Sequence, residues 1–190
     1  MKTINHSTLF TLLLFTLMAV FQGCDVADTN EPEEEEEIFI DRESLLIPIH
    51  IGSKWVYKNQ EEEEWEQTIL NYTQSDSSLL VGVSIYVVSS DTYDGSQFVI
   101  SEKGIHVGEV LLFRTGMEDG EQYTISVGES EFTYEHRVEE VTVPAGTFQA
   151  SVYENLDTNE RIYFAPGVGE VKWVDQNGNT DELVSYQLEG

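Results

Sequence analysis

Few kinds of side chain in this sequence could do chemistry. Beyond the first segment the histidines are His50, His106 and His136. No two lie at i, i+2 or i, i+4, the spacings that bring two imidazoles to one face, so a local metal motif is absent. His136 alternates with Phe132, Tyr134 and Val138, which puts it on the apolar face of a strand. An imidazole there could act as a ligand or a general base. The plainer reading is a core or rim histidine satisfied by one hydrogen bond. Serines are plentiful, but no G-x-S-x-G elbow exists to expose one as a nucleophile. Aspartate and glutamate total 36 against 9 lysines and arginines, so carboxylate pairs of the glycosidase kind arise by chance and identify nothing. Asp175 to Glu182 alternates oxygen ligands as a calcium loop does. An EF-hand loop, however, needs glycine sixth and glutamate twelfth, and here Gly178 is fourth and Tyr186 twelfth. A hairpin around Asn177-Gly178 explains that stretch more simply. The residues thus assign no catalytic, cofactor-binding or metal-ligating role, and the expectation is a protein that is not an enzyme and needs no cofactor.

One thiol remains. Cys24 is the only cysteine, which excludes an intrachain disulfide and a cysteine-cluster zinc site. Before it, Lys2 supplies a positive start and Leu9 to Phe21 an uncharged apolar stretch, shorter than the roughly 20 residues a spanning helix needs. Phe21-Gln22-Gly23-Cys24 resembles the lipobox of bacterial lipoproteins, although Phe21 and Gln22 depart from the commonest Leu-Ala or Leu-Ser. The resemblance implies that residues 1–23 are a lipoprotein signal peptide cut after Gly23. It also implies that Cys24 is the lipidation site, carrying diacylglyceryl on sulfur and an acyl chain such as palmitate on its amine. Two or more chains anchor stably, so the membrane partner is lipid reached through Cys24.

Residues 24–37 follow as a spacer with eight carboxylates and no base. Like charges repel and no apolar period is present, so this stretch is expected to be an acidic, disordered leash. An acidic run after the lipid cysteine resembles a surface-export signal of some Gram-negative lipoproteins, while a lone Asp after the cysteine resembles an inner-membrane retention signal. The run favours the outer membrane or cell surface. The net charge of −27 excludes ordinary nucleic-acid binding, which needs a basic surface. It fits a salt-adapted surface or cation binding equally, and a solvated acidic face is the plainest account.

The residues from 38 to 190 must position whatever the chain does. Hydrophobic residues at 40% suffice for a core, and no stretch holds a helical period over three turns. Short alternating runs dominate instead. Trp55 and Tyr57 share one face, as do Trp65, Gln67 and Ile69. The run Val81, Val83, Ile85, Val87 alternates with Leu80, Gly82, Ser84 and Tyr86, which predicts a strand buried on much of both faces. Phe98 and Ile100, then Ile105 and Val107, flank a Lys103-Gly104 turn. Val141 and Val143 sit at the opposite parity to His136, and a β-bulge near Glu139-Glu140 would repair that. Pro144-Ala145-Gly146 reads as a type I turn, Pro166 to Gly169 as a reversal, and Asn177-Gly178 as a type I′ hairpin. Gly52-Ser-Lys-Trp55-Val-Tyr57 is weakly echoed by Gly120-Glu-Gln-Tyr123-Thr-Ile125. The fold class is all-β, mainly antiparallel: one domain over 38–190.

Three motifs then stand in order: Ile51-Gly52-Ser-Lys54-Trp55-Val56-Tyr57, Val141-Thr-Val-Pro144-Ala-Gly146-Thr-Phe148, and Tyr163-Phe164-Ala165-Pro166-Gly167-Val168-Gly169-Glu-Val171. They resemble segments of uncharacterised secreted bacterial lipoproteins, the TapB-like and domain-of-unknown-function kind with VPAGTF and YFAPGVG motifs. The resemblance implies an antiparallel sheet curved into a half-barrel, as periplasmic lipid and lipoprotein carriers use. It implies no catalytic residues. Two readings stay open: a non-enzymatic binding or structural module of the envelope, whose partner is an envelope protein, or a carrier of a hydrophobic ligand on the concave face. An open apolar cavity of roughly 300 Å³ or more favours the carrier.

Overall fold

The computed structural model describes residues 45–75 and 77–189. Cys24, the signal peptide over 1–23 and the spacer over 24–37 lie outside the described residues.

The described residues form twelve strands. The first six are β1 (Lys54–Asn59), β2 (Glu64–Ser75), β3 (Ser78–Val87), β4 (Thr92–Ser101), β5 (Gly104–Val107) and β6 (Val110–Arg114). The second six are β7 (Gln122–Val127), β8 (Ser130–Val143), β9 (Gly146–Asn155), β10 (Arg161–Ala165), β11 (Gly169–Val174) and β12 (Thr180–Gln187). All pairings are antiparallel, in the order β6-β5-β4-β3-β2-β1-β12-β11-β10-β9-β8-β7. The sheet curls until it is nearly a closed barrel, further than a half-barrel. Its two edges, β6 and β7, share no backbone ladder. They are bridged by side chains: the Tyr123 hydroxyl donates to the Leu112 carbonyl, and the Arg114 guanidinium lies 4.5 Å from the Tyr123 ring centre.

The order makes the weak sequence echo physical. Each half is a six-strand meander, and the first strand of one half lies beside the last strand of the other. The backbone repeats in detail. Gly52 donates to Ile69 O at 2.9 Å and Ile69 donates back to Ser53 O; Gly120 donates to His136 O at 2.8 Å and His136 donates back to Glu121 O. Both glycines have positive φ, +90° and +81°, which only glycine adopts cheaply. Ile69 and His136 are therefore equivalent positions in the two halves.

The core lies inside the sheet's curve. Trp55, Tyr57, Leu79, Ile100, Phe113, Tyr153, Phe164 and Leu183 are buried there. Phe113 sits among Tyr153, Phe164 and Tyr134, with ring centres at 5.3, 5.4 and 6.3 Å. Two of the sequence motifs touch, because the Trp55 indole N–H donates to Val168 O at 2.7 Å and so pins the Pro166–Gly169 reversal across 113 residues.

Three local expectations change. The bulge near Glu139-Glu140 is absent, since β8 and β9 pair without a shift from Tyr134↔Asn155 to Val143↔Gly146. Val141 and Val143 are buried on the opposite face because the cover changes there. The hairpin tip reaches β12, with Ala145 N–H on Leu183 O and Phe148 against Tyr186. The strand over 78–87 is covered unevenly on its second face: Gly82 is buried and Ser84 and Tyr86 are half-buried, but Leu80, on the barrel's outer face, is 43% exposed. Val143 pairs directly with Gly146, so Pro144-Ala145 is a two-residue connection. Around Asn177-Gly178 the connection is a five-residue loop closed by Val174↔Thr180, not a two-residue hairpin. Asp175 organises it. Its carboxylate accepts the backbone N–H groups of Asn177 and Asn179 at 2.8 Å each, and both asparagine amides. Burial pushes the Asp175 carboxyl up, but these four bonds outweigh it and hold it below its ordinary value. The Asp175 oxygens, the first of those that prompted a calcium reading, are thus taken up by the loop's own donors.

Candidate functional site

Period-2 alternation sends His136 and Val138 of β8 and Tyr153 of β9 to the inward face, and cross-strand partners share it. The register sets His136 opposite Tyr153 and Val138 opposite Ser151. Phe164 of β10 pairs with Ser151 and joins the same face. Beside them the loop after β6 contributes Thr115, Gly116 and Met117, and the segment leading to β1 contributes Leu45 and Leu46. Together with Ala165 and Pro166 they enclose a groove of about 370 Å³. Small-molecule sites enclose roughly 300 to 1,000 Å³ and are mostly apolar with a few placed polar groups. The groove fits that description.

Its polar groups are unequal. The Thr115 hydroxyl donates to Glu102 O, and the Tyr153 hydroxyl donates to Arg114 O. Burial raises the Tyr153 hydroxyl pKa, so it stays a neutral donor. His136 is 3% exposed, and its Nδ1 lies 3.0 Å from Glu118 O. A carbonyl only accepts, so Nδ1 carries a proton, which leaves Nε2 as the ring nitrogen available to another group. Among the described residues Nε2 has no hydrogen-bond partner, and neither has the Ser151 hydroxyl. The sequence placed His136 on the inward face correctly. The chain segment over 115–117 that completes the groove carried no signal, because only closure brings it beside β8 and β9.

No protein-family model matches this chain, and no curated protein matches it. Solved structures do. One, from Bacteroides fragilis, is provisionally assigned as an exported protein with a YmcC-like fold. It is 12% identical, covers 76% of this chain and 99% of its own, and superposes with a TM-score of 0.51. The fold is similar to the YmcC-like one. A second, provisionally assigned as a lipoprotein of Parabacteroides distasonis, is 14% identical over 75% of this chain and 98% of its own, with a TM-score of 0.48.

The other histidines lie elsewhere. His106 accepts or donates to the Ser101 hydroxyl at 3.0 Å, and burial followed by the nearby Lys103 charge lowers its pKa. His50 gives its carbonyl to Ser53 N–H. Among the described residues no three His, Cys, Asp or Glu side chains are placed to hold a metal ion.

Periodicity did not single out a second inward cluster. Glu170 pairs with the inward Phe164, and Asp181 shares the face of Leu183, opposite Tyr57. Tyr57 stacks on Trp65 at 4.2 Å and donates its hydroxyl to Glu170 O at 3.1 Å. Burial first, and then the Asp181 charge, push the Glu170 carboxyl up to about 8. Burial also raises Asp181, against a hydrogen bond from Trp65. Among the described residues no donor reaches the Glu170 carboxylate, so protonation is its way to tolerate the site. A lone glutamate in an alternating run reads as outward, and the β-bulge between Tyr163 and Phe164 resets that parity.

Proposed function

We propose that this chain is a lipid-anchored envelope protein, not an enzyme, that holds a hydrophobic ligand in the groove on its inward face. The groove itself carries the reading. It is of ligand size, largely apolar, and lined from three strands and three adjoining segments of the chain. It stands half open beside the packed aromatic core. The lipobox at Cys24 and the likeness in fold to an exported protein support an envelope location. The acidic run after Cys24 supports the outer membrane or cell surface. The Trp55–Val168 contact gives two of the three sequence motifs a role in folding.

Two measurements test it. Cells fed an alkyne fatty acid are expected to label the wild-type protein and not Cys24→Ser; label retained by the variant removes the anchor. Purified, delipidated protein is expected to bind N-phenylnaphthylamine with a fluorescence gain. Met117→Trp, which fills the groove, should weaken that binding about tenfold, or about 1.4 kcal/mol. Dye binding that is absent, or unchanged in Met117→Trp, removes the ligand.

A further inference from the structure

We propose that the groove takes a fatty acid, its carboxyl group held between His136 Nε2 and Ser151 Oγ and its chain along Leu45, Leu46, Met117 and Phe164. This rests on the reading of the groove as a ligand site and names the ligand's class.

The internal repeat provides the first argument. Ile69 and His136 occupy the same place in the two halves, with the same pair of backbone hydrogen bonds to a glycine and its neighbour. Ile69 is 1% exposed and His136 3%. The fold is therefore satisfied by an apolar side chain there. The imidazole instead puts there a nitrogen, Nε2, that no protein group satisfies and that is not sealed off, because among the described residues the only buried side-chain polar atom without a partner is Arg114 Nε. Nε2 is therefore open to a ligand atom in the groove.

The second argument is spacing. Val138 faces Ser151 and His136 faces Tyr153, so His136 and Ser151 are diagonal neighbours on one face. Diagonal residues stand about 7 to 8 Å apart, within reach of a group bearing two oxygens. A carboxylic acid donates its O–H to Nε2 and accepts from the Ser151 O–H at its second oxygen. If the proton passes to the ring, Nε2–H donates to a carboxylate instead. Either way the ligand and imidazole together are neutral.

Charge decides against a phosphate head. Such a group brings a charge near −2, no lysine or arginine lines the groove, and the whole chain stands at −27. An ester head cannot donate to Nε2, and a hydrocarbon satisfies neither group.

The test uses the full, delipidated chain with bound N-phenylnaphthylamine. Palmitic acid is expected to displace the dye at concentrations at least tenfold below those needed for methyl palmitate or a lysophosphatidic acid. Ser151→Ala should cut that preference several-fold, and His136→Phe should abolish it while methyl palmitate still displaces. Ser151 is partly exposed, so its variant remains informative if His136→Phe does not fold. Equal displacement by acid and ester, preference for the phosphate, or a preference untouched by Ser151→Ala overturns the head-group assignment and leaves the groove reading standing. A dye that never binds overturns the groove reading itself.

Discussion

Gly104→Ala is expected to leave little folded protein. Gly104 begins β5 at a φ of +134° and pairs with Arg114 of β6. A Cβ built there would lie 1.7 Å from the Phe113 carbonyl oxygen and 2.8 Å from its carbon. Both are backbone atoms, so no rotamer change relieves the overlap. Moving that strand also moves the Phe113 ring, around which Tyr134, Tyr153 and Phe164 pack. Losses above about 4 kcal/mol are exceptional and come from such clashes, against a total stability of about 5 to 15 kcal/mol. Gly167→Ala is the control. Its φ is +70°, but nothing stands within 4 Å of the added atom. Only the left-handed penalty applies there, about 1 kcal/mol. Thermal melts by circular dichroism separate the two, and a Gly104→Ala protein that melts like wild type refutes the account.

Glu170→Gln is expected to stabilise the protein in alkali and leave it unchanged in acid. The folded carboxyl titrates near 8, against about 4.5 for the free side chain. The unfolded chain therefore ionises first as the pH rises. The stability contributed by the neutral Glu170 is complete below pH 4.5, is lost progressively between the two values, and is gone above 8. A shift of this size corresponds to at most about 4 to 5 kcal/mol, reduced by any water that reaches the site. Glutamine resembles the protonated acid in shape and does not ionise. The difference in melting temperature between variant and wild type should be near zero at pH 4 and grow to a plateau above pH 8. Subtracting wild type cancels Asp175 and the other groups that titrate alike in both proteins. A difference that does not change with pH means Glu170 is not held neutral.

Local rules made much of the fold legible. The runs around Trp55, Trp65, Val81, Ile100, Tyr134 and Ile162 alternate with period 2, and all of them are strands. Turns were placed where glycine and proline demanded them. The errors share one cause. A bulge was inferred near Glu139 because burial switched parity, yet burial switched because a different neighbour, β12, covers that end of the hairpin. Leu80 was expected to be covered because it is apolar, but it lies on the outer face at a point where nothing among the described residues packs over β3. At Asn177-Gly178 the dipeptide marked a reversal, and the Asp175 carboxylate, with four nitrogens to satisfy, chose a wider loop.

Sequence alone determined the acidic balance, the β class and the presence of His136 on an apolar face. These follow from composition and from spacings of a few residues, where geometry is nearly independent of the rest of the chain. Tertiary structure decided the remainder. The pairing of β1 with β12, the equivalence of Ile69 and His136, and the burial of Glu170 beside Asp181 join residues far apart in sequence. The groove exists only because the sheet curls far enough to bring residues 115–117 and 45–46 against β8, β9 and β10. Curvature is a property of all twelve strands' twist and bulges taken together, and no window of the sequence contains it.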